Sequence, residues 1–80
     1  MTNSTHTDAY QNFAAILKQA RLDAKLTQQE VADRLGKPQS YVAKLENSER
    51  RIDVVEFIQL AKAMGIDPKD LFETVLGGMG

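Results

Sequence analysis

The sequence contains no cysteine and only one histidine, His6. Disulfide bonds and thiolate metal sites are therefore excluded, and a single histidine does not make a zinc site without several carboxylate partners. There is no N-terminal signal pattern and no apolar run long enough to cross a bilayer, so we expect no membrane association and a reducing, cytoplasmic setting. A glycine-rich phosphate loop and paired catalytic carboxylates are also missing, so we expect no enzyme, no catalytic residues, no metal and no cofactor.

The chain is short and nearly neutral, with 80 residues and a net charge of −1. This length suits one domain with a modest core. The slightly negative overall charge argues mildly against nucleic-acid binding, but the charge is distributed unevenly along the chain. Residues 34–51 hold five bases and two acids, a net charge of +3, and residues 53–80 hold two bases and five acids, a net charge of −3. The basic segment would turn toward a polyanion.

The first helix is predicted from about Asp8 to Ala24, after a disordered polar tail over residues 1–8 that contains His6. Its apolar stripe consists of Phe13, Leu17, Ala20 and Ala24. Arg21 falls on the same stripe and would need a buried acid, for which Glu46 is the candidate. From the residues alone, two separate surface charges remain the simpler interpretation.

Residues 27–47 form the motif around which the chain is organised. Thr27 and Glu30 match a T-x-x-E capping box, which starts a helix. Gly36 ends that helix, because the residue after a helix often has a left-handed backbone conformation, which glycine adopts without steric cost. Pro38 fits a helix's first turn and opens a second helix after a very short connection. Two helices this close must cross steeply, as in a helix-turn-helix.

The second helix of the motif has a polar outer face without an acid. Val42 and Leu45 point inward, and the outer positions are Ser40, Ala43, Lys44 and Asn47, with Gln39 and Tyr41 beside them. Glutamine pairs with adenine, lysine with guanine, and alanine contacts the thymine methyl group. A solvated helix face looks much the same, and the face alone gives the two interpretations equal weight.

A loop and two further helices complete the prediction. Arg50 and Arg51 lie in the loop over residues 48–52, where they either meet phosphates or are solvated. The fourth helix begins at Asp53, with an inward stripe of Val54, Ile58, Ala61 and Met64 widened by Phe57 and Leu60. The fifth begins at Asp67-Pro68 and frays at Gly77. The result is an all-α fold with one domain over residues 9–76 and a flexible tail over residues 77–80.

Apolar residues near the C-terminus exceed what so small a core can cover. We predict a homodimer surface formed by Phe57, Phe72, Val75 and Leu76, with ordinary core packing as the alternative. A DNA-reading unit of this size gains affinity by binding two half-sites about one DNA turn apart.

Residues 13–72 closely resemble the Cro and phage-repressor family of helix-turn-helix domains, also called the xenobiotic-response-element type. The resemblance is carried by Arg21, by the segments 26–32, 45–47 and 57–66, and by Gly36 and Val42. It implies a compact five-helix fold like that of the lambda repressor. Ser48 departs from the pattern, because the family usually has glycine there.

The resemblance also implies a role for each site residue. The residues that would read bases are Gln39, Ser40, Tyr41, Ala43 and Lys44. Those that would contact phosphates are Gln28, Asn47, Arg50 and Arg51, and Gln28 would also brace the reading helix. Arg21 and Glu46 match a buried ion pair.

Together these features predict a small transcriptional regulator, a homodimeric repressor that binds a palindromic operator in double-stranded DNA. Its recognition helix, residues 39–47, would lie in the major groove. The alternative is an antitoxin or adaptor module whose main partner is a protein held by the last helix, with DNA binding secondary. The apolar Val75 and Leu76 and the acidic C-terminal part motivate that alternative.

Overall fold

The computed structural model describes residues 7–79, which form five helices and no strand, so the predicted all-α fold is confirmed. The helices are α1 (Asp8–Asp23), α2 (Gln28–Leu35), α3 (Gln39–Glu46), α4 (Val54–Ala63) and α5 (Pro68–Met79). Among these residues, none of the helices combines the length and the apolar character that a membrane crossing needs.

α1 begins earlier than the predicted domain boundary. The Thr7 side chain caps the helix by accepting a hydrogen bond from the Tyr10 amide at 3.1 Å, and Asp8 is the first helical residue. Residues 7 and 8 therefore belong to the fold and not to the predicted tail. The rest of that tail, including His6, lies outside the described residues.

The buried face of α1 also differs from the predicted stripe. Its buried residues are Tyr10, Ala14, Leu17 and Arg21, whereas Phe13 and Ala20 are half-buried and flank the core. The prediction followed apolar residues alone. Tyr10 and Arg21 occupy the inner face because their polar tips find hydrogen-bond partners on other elements, which satisfies buried polar groups.

α2 and α3 are joined by a three-residue turn. Thr27 accepts from the Glu30 amide at 3.0 Å, and the Glu30 carboxylate accepts from the Thr27 amide at 2.8 Å, so the predicted capping box is present. Gly36 has a φ of 68°, in the left-handed region. Pro38 was predicted in the first turn of α3, but its backbone is extended and it precedes the helix as the N-cap residue. Its carbonyl accepts from the Tyr41 amide at 3.0 Å, and α3 begins at Gln39.

α4 has the predicted capping box, in which Asp53 accepts from the Glu56 amide at 2.7 Å. Its buried face contains Phe57, Leu60, Ala61, Ala63 and Met64. Val54 and Ile58 were predicted to point inward, but they are 71% and 38% exposed. The i, i+4 spacing of those two residues marks a second apolar face of α4. The helix buries its first apolar face, which contains Phe57 and Leu60, against α2 and α5.

One core joins all five helices. Its largest fully buried side chains are Val31, Val42 and Leu45, which come from the two motif helices. The motif is therefore fixed from behind by close packing, and α3 keeps only its outer face for contact with other molecules.

α5 continues past the point where it was predicted to end. Residues 77–79 are helical, where a flexible tail was predicted. The Asn12 amide donates to the Gly78 carbonyl at 2.7 Å, and a Cβ atom on Gly78 would lie 2.6 Å from Ile16 Cδ1. The absence of a side chain at Gly78 thus allows the last turn of α5 to lie close against α1.

Candidate nucleic-acid interface

The outer face of α3 is exposed and polar. Gln39, Ser40 and Lys44 are exposed, Ala43 is half-buried, and Asn47 follows as the exposed C-cap residue. Val42 and Leu45 lie on the opposite side, each 1% exposed. The predicted outer face is therefore present, and it contains amide, hydroxyl and ammonium groups of the kind that pair with base edges.

A buried ion pair fixes the C-terminal end of α3. Arg21 Nε lies 2.7 Å from Glu46 Oε2, and Arg21 Nη2 lies 2.9 Å from Glu46 Oε1. A third donor of the same guanidinium, Nη1, reaches the Leu26 carbonyl at 2.8 Å. The hydrogen bonds from Arg21 to Glu46 also raise the pKa of the arginine above its usual value. Arg21 thus connects α1, the link to α2 and the end of α3.

Gln28 extends this network to the start of α3. Its Nε2 donates to Glu46 Oε1 at 2.9 Å, and its Oε1 accepts a short hydrogen bond from Gln39 Nε2. The predicted bracing role of Gln28 thus has a structural basis, since its amide links both ends of the helix. Gln39 is held at the first turn of α3, where a base-reading side chain is predicted.

Tyr41 is a residue of α3 whose side chain contacts α4. Its hydroxyl donates to Glu56 Oε2 at 3.3 Å, and the Arg50 guanidinium carbon lies 4.7 Å from the centre of its ring. Burial raises the pKa of this hydroxyl, and the negative charge of Glu56 adds to the effect. Tyr41 was predicted to read bases, but its hydroxyl is engaged within the protein. The Lys37 ammonium also lies 5.4 Å from the centre of its ring, so only the ring edge remains for that purpose.

Arg50 has a carboxylate partner. Its Nη2 lies 3.0 Å from Glu56 Oε2, and its Nη1 lies 3.4 Å from Glu56 Oε1. The hydrogen bond from Arg50 holds the pKa of Glu56 below its usual value, and the Asp53 amide contributes further. The sequence offered only phosphate or solvent as partners for Arg50. The sequence indicates the helix-capping role of Glu56 but not its pairing with Arg50.

Tyr10 is a site residue that the sequence did not indicate. Its hydroxyl donates to the Arg50 carbonyl at 2.9 Å, and the Arg51 guanidinium carbon lies 4.8 Å from the centre of its ring. α1 thereby supports the loop that follows α3. The loop itself begins at Ser48, which is 6% exposed and has a φ of 62°. Serine here adopts the left-handed conformation that glycine adopts without steric cost.

The predicted dimer surface is only partly exposed. Phe57 and Val75 are 8% and 7% exposed and belong to the core, so the prediction was wrong for these two. Phe57 packs within a row of rings, 6.1 Å from Phe13 and 6.3 Å from Phe72 between centroids. Phe72 and Leu76 are exposed.

Further apolar residues of α4 are exposed and were not predicted at this surface. We call the following set the α4–α5 apolar face: Val54, Val55, Ile58, Phe72 and Leu76. Val54 and Phe72 line the same shallow groove, and helical periodicity places the other three beside them. Exposed apolar side chains gain free energy when they are covered, so this face is a candidate interaction surface.

The five helices, the α2–α3 motif and its exposed polar face define a DNA-binding helix-turn-helix domain. A family model described as helix-turn-helix matches residues 17–71, more than half of the chain. A solved structure of an XRE-family-like protein from Pseudomonas syringae is 43% identical, with a TM-score of 0.80 over 92% of this chain and 90% of that one. The chain therefore belongs to the XRE family of helix-turn-helix proteins, which are DNA-binding regulators and not a class of enzymes.

Two restriction-modification controller proteins are also similar. C.AhdI from Aeromonas hydrophila is 32% identical, with a TM-score of 0.70 over 81% of this chain and 97% of that one. C.Esp1396I, solved as a tetramer with its natural 35 base-pair operator, is 16% identical and has a TM-score of 0.84 over 92% of this chain and 97% of that one. The second likeness shows the fold alone. A comparison with curated proteins gave no match.

Proposed function

We propose that this DNA-binding regulator acts as a homodimeric repressor that occludes a palindromic operator, with α3 in the major groove of each half-site. The observation that carries the proposal is the acid-free outer face of α3, which is exposed while both ends of the helix are fixed by the network of Arg21, Gln28 and Glu46. A rigid helix with polar side chains outward is what base reading requires. Such a repressor would act in the cytoplasm.

Base reading is assigned to the exposed face of α3. Gln39 and Ser40 lie in its first turn and Lys44 one turn later, so they would reach successive base edges. Ala43 would contact a thymine methyl group, and Tyr41 would contribute its ring. Phosphate contacts are assigned to Asn47 and Arg51, which are exposed at the end of α3 and in the following loop.

Dimerisation is assigned to the α4–α5 apolar face. Two half-sites bound by one protein need a two-fold pair of recognition helices about one DNA turn apart. C.Esp1396I is a tetramer on its natural 35 base-pair operator, so a protein of this fold can bind DNA as an assembly of several copies.

The primary test is selection from randomised duplex DNA at physiological salt, together with the mass of the complex. We expect enrichment of a palindrome and a complex of two chains per operator. No enrichment, with only weak salt-sensitive binding, would contradict the proposal and would point to the protein-binding alternative.

Lys44→Ala tests base reading. We expect the base preference at one operator position to relax, with a loss of about 1–3 kcal/mol of discrimination against the wrong base. Lys69→Ala is the matched control, because Lys69 is exposed in α5 and away from the motif. Equal weakening of every sequence by Lys44→Ala would remove Lys44 from the base-reading set.

Phe72→Glu tests the dimer surface. A charge placed in an apolar interface is costly to bury, so we expect the protein to become monomeric in sedimentation and to lose most operator affinity. Leu22→Glu is the control, since Leu22 is 48% exposed on α1 and Phe72 is 50% exposed. A dimer that survives Phe72→Glu would show that the interface lies elsewhere, and loss of the dimer in both variants would show that the effect is not specific to this face.

A further inference from the structure

We infer that Arg50 positions the recognition helix through a cluster with Tyr41 and Glu56 instead of binding phosphate, and that Arg51 carries the phosphate contact of this loop. The inference rests on the proposed operator binding and assigns the two adjacent arginines different tasks. In the sequence alone the two arginines are equivalent.

The Glu56 carboxylate is the centre of the cluster. Its Oε1 accepts from the Asp53 amide at 3.0 Å and from Arg50 Nη1 at 3.4 Å. Its Oε2 accepts from Arg50 Nη2 at 3.0 Å and from the Tyr41 hydroxyl at 3.3 Å. One carboxylate therefore holds the start of α4, the loop arginine and a tyrosine of α3 together.

Arg50 is further restrained from its other sides. Its guanidinium lies over the Tyr41 ring, and its Nη1 donates to the Arg51 carbonyl at 2.9 Å. The Tyr10 hydroxyl donates to the Arg50 carbonyl from α1. A phosphate could recruit this guanidinium only by breaking the cluster or by approaching the negative charge of Glu56, and both are unfavourable.

Arg51 is in the opposite situation. It is exposed, its guanidinium lies over the Tyr10 ring, and within residues 7–79 no acidic side chain is paired with it. Its full positive charge is therefore available to the DNA backbone.

The position of α4 extends the effect of the cluster to the dimer. Val54 and Val55 of the α4–α5 apolar face lie in the same first turn of α4 as Glu56. By fixing Tyr41 relative to this turn, the cluster adds to the core packing that holds α3 relative to the dimer surface, and so relative to the α3 helix of a second copy. The spacing between half-sites would then depend on Arg50.

The first experiment measures operator affinity between 50 and 200 mM salt for the wild-type protein, Arg50→Ala and Arg51→Ala. One lost phosphate contact lowers the salt slope by about 0.9. Across this range the factor by which salt weakens binding should therefore be about 3.5-fold smaller for Arg51→Ala than for the wild-type protein. Arg50→Ala should bind more weakly and should tolerate half-site spacings that the wild-type protein rejects. Its slope should fall by less than that of Arg51→Ala, because it removes no phosphate contact and only leaves the Glu56 carboxylate unpaired near the DNA. Equal reductions of the slope in the two variants would overturn the inference.

The second experiment removes the negative charge of the Arg50–Glu56 pair instead of the positive one. Glu56→Gln keeps the shape of the side chain but removes the charge that compensates Arg50, so we expect the salt slope to rise by up to about one unit. Glu49→Gln makes the same charge change at an exposed position of the same loop and should leave the slope unchanged. A rise of the same size in both variants, or in neither, would contradict the cluster.

Rescue separates positioning from charge. Arg50→Lys keeps the charge but not the planar fork that spans both Glu56 oxygens, so it should share the relaxed spacing of Arg50→Ala. Recovery of the wild-type spacing by lysine would overturn the positioning role.

Circular dichroism verifies that each variant is folded. If the wild-type protein selected no operator, the proposed function itself would be wrong. If it selected an operator but the variants behaved otherwise than expected, only the role of the cluster would be wrong.

Discussion

Two arginine–glutamate pairs flank the recognition helix, and they differ mainly in solvent exposure. In the Arg21–Glu46 pair the side chains are 9% and 5% exposed, whereas in the Arg50–Glu56 pair they are 40% and 23% exposed. Both pairs use two guanidinium nitrogens and two carboxylate oxygens. The same chemistry is therefore placed once inside the core and once at its edge.

Burial decides what each pair can do. The inner pair has lost its hydration and depends on complete hydrogen bonding, which Leu26 and Gln28 supply. The outer pair keeps water and counterions nearby, so it adds little to the free energy of unfolding but determines the position of Tyr41. One pair thus maintains the fold and the other adjusts the DNA-binding surface.

The largest expected effect is that of breaking the inner pair. Arg21→Ala leaves the Glu46 charge buried and unpaired, and should lower the free energy of unfolding by about 3–5 kcal/mol in urea denaturation. The matched comparison is the double variant Arg21→Met, Glu46→Leu, which removes both charges and should recover part of that loss, since the Leu26 carbonyl and the Gln28 amide each lose a hydrogen-bond partner. If Arg21→Ala lowered the free energy of unfolding only as much as the loss of a surface ion pair does, the inner pair would be effectively solvated.

Breaking the outer pair should have a much smaller effect on stability. We expect Arg50→Ala to lower the free energy of unfolding by about 0.2–1 kcal/mol, since both side chains are partly exposed. The loss should shrink in 1 M salt, where the Debye length is about 3 Å. A loss as large as that of Arg21→Ala, or one insensitive to salt, would remove the distinction between the pairs.

The smallest expected effect is the acid sensitivity of the outer pair. The pKa of Glu56 is lowered from 4.5 in the folded protein, so its stabilising contribution is complete well above that value and is lost as the pH falls through the lowered pKa. Between pH 6 and pH 3, the thermal midpoint of Glu56→Gln should therefore decline less than that of the wild-type protein. Parallel declines would show that the pair does not contribute to acid unfolding, and Glu49→Gln provides the control for the change in net charge.

The local signals in the sequence were sufficient for most of the fold. Both capping boxes, Thr27 with Glu30 and Asp53 with Glu56, follow from residues three positions apart. The left-handed Gly36 follows equally from its place at a helix end. The helices and the motif were therefore predictable without knowledge of the tertiary structure.

The contacts across the site were not predictable in this way. Tyr10 reaches the Arg50 carbonyl across 40 positions of sequence, and nothing near either residue indicates that contact. Val54 and Ile58 were also assigned wrongly to the inward face of α4, because they are as apolar as the buried Phe57 and only the packing of α2 and α5 distinguishes them. Arg21 and Glu46 could be paired from the resemblance, whereas Arg50 and Glu56 required the structure.

The left-handed backbone of Ser48 has a consequence for local opening of the protein. A residue with a Cβ atom loses about 1–2 kcal/mol in this conformation, a cost that disappears when the loop is released. Residues 48–52 should therefore open more often than the helices on either side, and their amide protons should exchange with solvent faster. The hydrogen bonds of Arg50 to Tyr10 and Glu56 oppose this opening, so the order of the segment between the recognition helix and α4 depends on those contacts.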